Sequence, residues 1–592
     1  MAVCAGLAPV TTAGAATTPH RPGPLPLERL FDNRAVSDDT APGAADFDGA
    51  GGSLSAQDLT AAGWTPGTRL GVEGARLAWP RTAGAGPDNV RADGQRVRVT
   101  GRGDALAFLV AGTGGDAHGT GTVRYTDGSR SAYTLTAPDW RTGPLATKAV
   151  ALPHRNTPDG QITEKTRLYV VTVPVRPGHR ISSVDLPRAT RGGATGGGAT
   201  GQGAELHVFA LTVRAATTGW TGTWAASPAG YTTVGPWIDR TVRLVVHSSA
   251  GGSRVRIRLD NTFASTPVRV GSASVAVQEA GAGAQGKPVR LTFRGARGVT
   301  LPAGGQAYSD PVGFHIPADT NLLVSFHLPE PVATAPVHSQ AIQTSYVSEP
   351  GDHAAEAGSS AYTSTISYWP LLTGVDVGGG PGSVVLLGDS ITDGVRSTRD
   401  ANRRWPNVLA TRLLGQSEVP RYGVLNEGIS ANRVVADRYP GDGVSTDTGG
   451  VSALHRLDRD VFSQTSARTV VVFQGVNDVR WGASAEQVEA GLREISRRAH
   501  ARGLRVIGAT ITPCEGEAMC TAAADAERVA VNGFLRGPGA GFDAVLDFDA
   551  VLRDPERPAR MRAEFDSGDH LHPGDAGLKA LADSVDLGIL AP

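Results

Sequence analysis

Two rhythms of hydrophobic and polar positions divide the chain. Up to about residue 377, short apolar-polar alternations are bounded by turn residues. Residues 96–100, 105–110, 122–125 and 168–173 are such runs, separated by Asp127-Gly128, Asp159-Gly160 and Pro177-Gly178. Spacing of this kind predicts antiparallel sandwich strands. Residues 206–213, 220–224, 241–246, 254–259 and 322–328 continue the pattern. In 254–259, Val255, Ile257 and Leu259 share one face and Arg254, Arg256 and Arg258 the other. That is a half-buried strand rather than a nucleic-acid stripe.

From Ser383 the period changes. Residues 384–387 form a short apolar run, as expected of a strand buried on both faces. Further strands are predicted at 424–425, 469–473, 504–511 and 544–548. Helices are predicted between them at 405–414, 453–462, 485–502, 525–535 and 575–587. In the longest helix, Val488, Leu492, Ile495 and Ala499 fall on one face. Alternating strands and helices imply a parallel sheet with right-handed crossovers. The expected architecture is therefore multidomain. Two all-β sandwich modules, 27–215 and 218–377, precede a three-layer α/β domain, 383–592, with a five-stranded parallel sheet. Gly378–Gly382 reads as a linker, and 191–203 as a low-complexity loop inside the first module.

Composition adds limits. A length of 592 residues predicts about three to five domains. A net charge of -1 argues against nucleic-acid partners, which select a strongly basic face. No stretch of 18 apolar residues suggests a spanning helix. Residues 1–25 are small, apolar and acid-free, like the end of a secretory signal without its basic start. Cys4 lies in this leader-like segment. Cys514 and Cys520 are near enough to close a small loop; a disulfide there fits an oxidising, extracellular setting. The alternative is two unpaired thiols. Gly196, Gly198 and Gly201 fit a dinucleotide pattern but open no helix, so the match is discarded.

The chemistry concentrates in the last third. Gly388-Asp389-Ser390 directly follows the first parallel strand. A Ser at that strand end sits where open α/β sheets bind ligands, near helix N–H groups that favour negative charge. A hydroxyl is a weak nucleophile and needs a base. Asp569 and His572, in Asp566-Ser567-Gly568-Asp569-His570-Leu571-His572-Pro573, have the spacing for a carboxylate to orient an imidazole. His570 competes for the base role. Gly428, in 426–432, and Asn477, in Gly475-Val476-Asn477-Asp478, supply donors at two further strand ends. Taken singly, each has a plain reading: Ser390 as a helix N-cap, Asn477 as turn chemistry, His572-Pro573 as a turn.

In chain order, G-D-S at 388–390, the Gly428 block, G-x-N-D at 475–478 and D-x-x-H-P at 569–573 resemble the blocks of the SGNH (GDSL-type) hydrolase family over 383–592. The resemblance implies Ser390 as nucleophile, His572 as general base and Asp569 as its orienting carboxylate. It implies an oxyanion hole from the backbone N–H of Ser390, the N–H of Gly428 and the side-chain amide of Asn477. No cofactor or metal is needed for this chemistry. Ala431 stands where many relatives carry Gly; its Cβ makes any positive φ there costly.

The second β region resembles the β-domain that precedes the catalytic domain in secreted actinobacterial SGNH hydrolases. It either walls the cleft or is purely structural. Residues 27–215 resemble a sandwich module appended to secreted bacterial glycoside hydrolases, which implies carbohydrate binding. Trp64, Trp79 and Trp140 are either stacking platforms or core aromatics. Asp38, Asp39, Asp46 and Asp48 are either calcium ligands or solvated turn carboxylates. The expected protein is a secreted serine esterase for short-chain acyl or acetyl esters on a polysaccharide. The alternatives are a lipid or lysophospholipid acyl hydrolase and a non-catalytic carbohydrate-binding protein.

Overall fold

Alternation along the strand Ala105–Thr113 sets the packing of the first β region. Leu106, Phe108 and Val110 face one core, while Ala107, Leu109 and Ala111 face another. The first core lies against a four-stranded sheet that includes Ala117–Tyr125 and Arg130–Ala137. The second packs on Trp64, Trp79 and Trp140. All three tryptophans are at most 1% exposed, so they are core residues and none is a sugar platform.

The computed structural model describes residues 23–189, 203–445 and 448–592. Most of the leader-like segment, Cys4 included, and the Gly196–Gly201 pattern lie outside the described residues. The acidic residues of the first region cap turns. Asp38 accepts from Thr40 and Gln57, Asp46 from Gly51, and Asp48 from Ala50 and Gly52. Asp39 accepts from Asn156. Among the described residues, no group of three or more His, Cys, Asp or Glu is placed to hold a metal ion.

In the second region, Val255, Ile257 and Leu259 enter a core with Val242, Leu244, Val246, Val324 and Phe326. The opposite, Arg-bearing face grades from exposed Arg254 to buried Arg258. Arg258 donates to Thr373 and to Gln464 of the C-terminal domain, so this face is partly an interface.

The C-terminal strands are β1 (Ser383–Gly388), β2 (Gly423–Gly428), β3 (Ala467–Phe473), β4 (Arg505–Ala509) and β5 (Ala544–Leu546). They pair in the order β2-β1-β3-β4-β5, all parallel. Val385 and Leu387 face one core, Val384 and Leu386 the other, so the sheet is buried on both faces. Helices on the two faces follow as α1 (Ser390–Asp393), α2 (Trp405–Leu414), α3 (Val476–Arg480), α4 (Ala485–His500), α5 (Ala522–Arg536) and α6 (Asp575–Ser584). This is the expected three-layer α/β arrangement. The predicted strand 544–548 ends early because Asp547 turns and caps a short helix, accepting the N–H of Ala550. The helix predicted over 453–462 is α-helical only over Ala453–Leu457 and then widens to a π-turn.

The outer edge of β2 is covered rather than open, which removes a template for strand addition. Val424 of β2 donates to Ser249 Oγ at 2.9 Å, and its carbonyl accepts from the same hydroxyl at 3.1 Å. Gly222, from the same β region as Ser249, donates to Ser383 Oγ at the start of β1. The first region also docks on the α/β domain. Lys165 pairs with Asp442, Lys148 donates to the Gly441 carbonyl, and Thr172 and Arg502 both meet Asp458. No helix among the described residues is long and apolar enough to cross a membrane.

Candidate active site

Asp389, not Ser390, caps α1: its carboxylate accepts the N–H of Ile391 at 3.0 Å. Ser390 is thereby left at the first helical position, where its own N–H has no intrahelical partner. Gly394 ends the helix after one turn, at φ 98°. Ser390 is buried, 3% exposed, at the carboxyl end of β1.

Across the cleft, residues 566–573 form two nested carboxylate turns. Asp569 Oδ1 accepts the N–H groups of Leu571 and His572 at 3.1 and 2.8 Å. Its Oδ2 lies 2.9 Å from His572 Nδ1, and His572 Nε2 lies 2.8 Å from Ser390 Oγ. Asp566 repeats the motif one turn earlier and takes His570, at 2.6 Å from its Nδ1. The competition between the two histidines is thus settled geometrically: His572 meets Ser390, and His570 is held by Asp566.

Burial raises the Asp569 carboxyl, but bonds from the His572 ring, the His572 N–H and Arg396 outweigh it. The net effect holds the group well below the usual carboxylate range. It is therefore an anion at any working pH. Arg396 Nε sits 2.8 Å from Asp569 Oδ2. No sequence motif pointed to this arginine, which lies 173 residues from its partner.

Asn477, on α3, is 2% exposed. Its Nδ2 donates to the Asn432 carbonyl at 3.0 Å, leaving a second amide hydrogen. Its Oδ1 accepts from Arg480 at 3.0 Å, which fixes the amide's orientation. Arg480 in turn pairs with Glu517, inside the loop closed by the Cys514–Cys520 disulfide. The adjoining Asp478 accepts the N–H groups of Val434 and Val435 and pins the chain beyond Asn432.

Gly428 departs from expectation. Its N–H donates to Asn426 Oδ1 at 3.0 Å, so it is not offered to a substrate oxygen. A Cβ here would lie 2.3 Å from the Asp393 nitrogen, so glycine is required for close packing of β2 against α1. The backbone instead turns left-handed three residues on, at Ala431, φ 65°. Ala431 is bracketed by two anchors. The Ser430 N–H donates to Asp393 Oδ2, and the Asn432 carbonyl takes the amide of Asn477.

Residues 386–580 match the family model for the GDSL-like lipase/acylhydrolase family. Comparison with curated proteins finds no match. Solved structures similar to this chain include an alpha/beta hydrolase from the metagenome of Lake Arreo, Spain (20% identity, 36% of this chain, 96% of that one, TM-score 0.27). A GDSL-like lipase from Bacteroides thetaiotaomicron is 17% identical over 35% of this chain and 87% of its own, at TM-score 0.26. A psychrotrophic esterase from Pseudoalteromonas is 16% identical over 34% and 93%, at TM-score 0.25. The C-terminal domain is a GDSL-type (SGNH) hydrolase domain, and its activity class is carboxylic ester hydrolysis.

Proposed function

We propose that the protein is a secreted serine esterase acting on short acyl esters, acetyl foremost, carried by a polysaccharide. The observation that carries the catalytic part is the bonded series Ser390–His572–Asp569. Ser390 Oγ attacks the ester carbonyl while its proton passes to His572 Nε2. Asp569 holds Nδ1–H and stabilises the imidazolium, and does not itself take the proton. The imidazolium then protonates the leaving alcohol, giving an acyl-enzyme that water cleaves by the same steps in reverse.

The oxyanion meets the N–H of Ser390, the free amide hydrogen of Asn477 and the N–H of Ala431, which replaces Gly428 in this role. Such donors act on the charge that develops in the transition state and so raise kcat.

The substrate class is supported by the polarity around Asn477 and Asp569. The guanidiniums of Arg433, Arg438 and Arg480 lie 5.3, 4.7 and 6.0 Å from the Trp481 ring centre, and Arg396 is exposed beside Asp569. A rim of this kind suits a hydrated alcohol better than a long acyl chain. Export is supported by the Cys514–Cys520 disulfide.

The test compares wild type and Ser390→Ala on aryl esters from acetyl to palmitoyl and on acetylated xylans and pectins. Unchanged hydrolysis in Ser390→Ala would sink the serine mechanism. Preference for palmitoyl over acetyl would transfer the protein to the lipid acyl hydrolases. Turnover of aryl acetate without acetate release from any glycan would overturn the polysaccharide assignment.

A further inference from the structure

The residue that anchors the oxyanion loop from behind comes from outside the hydrolase domain. His338 ends the strand Val332–His338 of the second β region and is 5% exposed. Its Nδ1 lies 2.9 Å from the Ser227 carbonyl, which can only accept, so Nδ1 carries a proton. Its Nε2 lies 3.0 Å from Asp393 Oδ1. The other Asp393 oxygen takes the N–H of Ser430 at 3.0 Å.

Asp393 occupies a pivotal place. It is the last residue of α1, the single turn that begins with Ser390, and is 2% exposed. Ala431 follows Ser430 in a left-handed conformation that costs an L-residue about 1–2 kcal/mol. A strained residue keeps such a conformation only when its neighbours are held on both sides. On the far side, Asn432 is held by Asn477 and by its own amide bonds to the Gly449 and Val451 carbonyls. On the near side, Ser430 depends on Asp393, and Asp393 depends on His338.

The imidazole itself has little freedom. It stacks on Trp369 at 5.3 Å between centres and 28° between planes. Arg404 lies 5.5 Å from the centre of the same tryptophan and donates to the Asp393 carbonyl at 2.7 Å. A buried carboxylate oxygen stripped of its partner is costly, so Asp393 without His338 would turn to another donor and release Ser430.

We infer that His338 is a positioning residue: through Asp393 it sets the Ser430–Ala431 backbone that receives the oxyanion. On this view the second β region is part of the catalytic apparatus, acting behind the site rather than as a wall of the cleft. The inference rests on the serine-esterase reading.

The experiment uses the full chain and 4-nitrophenyl acetate. His338→Phe keeps the stack on Trp369 and loses both hydrogen bonds. It is expected to lower kcat about tenfold or more, short of the about 10²-fold that a 1 Å misplacement can cost, with KM nearly unchanged. The Ki of an alkyl boronate, which mimics the tetrahedral state, should rise in parallel with the loss in kcat/KM. His338→Gln, whose amide can still donate to Asp393, should recover to within about threefold of wild type. Asp393→Ala breaks the same link from the other side, should match His338→Phe, and decides the matter if His338→Phe does not fold.

Two results overturn the inference: kcat within about twofold of wild type in His338→Phe or Asp393→Ala, or a kcat loss in either with an unmoved boronate Ki. Ser390→Ala run alongside separates the two ideas. Activity that survives Ser390→Ala defeats the esterase reading. Activity that needs Ser390 but ignores His338 and Asp393 defeats only this inference.

Discussion

His572 Nε2 and Ser390 Oγ lie 2.8 Å apart, although 182 residues separate them along the chain. The contact exists because β1 and the 566–573 loop end on the same side of the sheet. Each partner is delivered by a carboxylate turn: Asp389 starts the helix of Ser390, and Asp569 folds the loop of His572.

The first prediction concerns Asp569. Asparagine there still accepts the two backbone N–H groups, but its amide can present a hydrogen to Nδ1 and reverse the His572 tautomer. Asp569→Asn should therefore lose about 10⁴ in kcat with the loop intact. Arg396→Gln removes an exposed partner of the same carboxylate and should cost only a few-fold. Steady-state kinetics with near-UV circular dichroism check both. Equal losses in the two variants would mean that Arg396 carries more of the orientation than its exposure suggests.

The second prediction separates packing from chemistry at the oxyanion loop. Gly428→Ala drives a methyl into the Asp393 backbone and should destabilise the fold by about 1–3 kcal/mol. Asn477→Ala removes a donor and should lower kcat by about 10²–10³. Ala431→Gly relieves the positive φ and should raise stability by up to about 1 kcal/mol. Urea midpoints and kcat measured on the same preparations would sort the three. A Gly428→Ala enzyme of native stability would refute the close-approach argument.

The doubly wound domain was legible because its strands are continuous apolar runs and its long helix has a clean stripe. The tryptophans of the first region were ambiguous in sequence, since a core ring and a platform ring read alike until burial is known. The Gly428 assignment failed for a related reason. Sequence marks a glycine as special, but not whether the cause is a free N–H or a close backbone neighbour. Arg396 and His338 were invisible, because each acts on a catalytic-site residue or its support through a side chain folded in from elsewhere. Arg480 lies one helical turn beyond Asn477, but its role depends on how that short helix is oriented.

The third prediction follows the disulfide. Cys514–Cys520 encloses Glu517, whose backbone bonds to both ends of the loop. Glu517 holds Arg480, which holds the Asn477 amide. Replacing both cysteines by Ser should cost about 2 kcal/mol of stability, by loop-closure entropy. The same change should lower kcat a few-fold, and Glu517→Gln should reproduce the kcat effect without the full stability loss. Full kcat in the double-Ser variant would show that Arg480 orients Asn477 without the loop's help.

The last prediction is a pH dependence of stability with its origin at Asp389. Burial raises this carboxyl to about 6, against the pull of the Ile391 N–H and of His572. The unfolded chain loses the same proton at about 4. Between these values the folded state binds more protons, so stability falls as pH rises. The contribution is fully present below about 4 and is lost as pH passes through about 6, a difference on the order of 2–3 kcal/mol. Asparagine at 389 caps α1 equally well and carries no charge. Asp389→Asn should therefore match wild type near pH 4 and exceed it near pH 8 by roughly 2 kcal/mol. Asp478, also raised by burial to about 6, and Glu427, raised to about 8, shape the wild-type curve in the same direction. They persist in the variant, so the difference between the two curves isolates Asp389. Denaturation midpoints taken from pH 4 to 8 are the measurement, and two parallel curves would mean that Asp389 is ionised in the fold throughout.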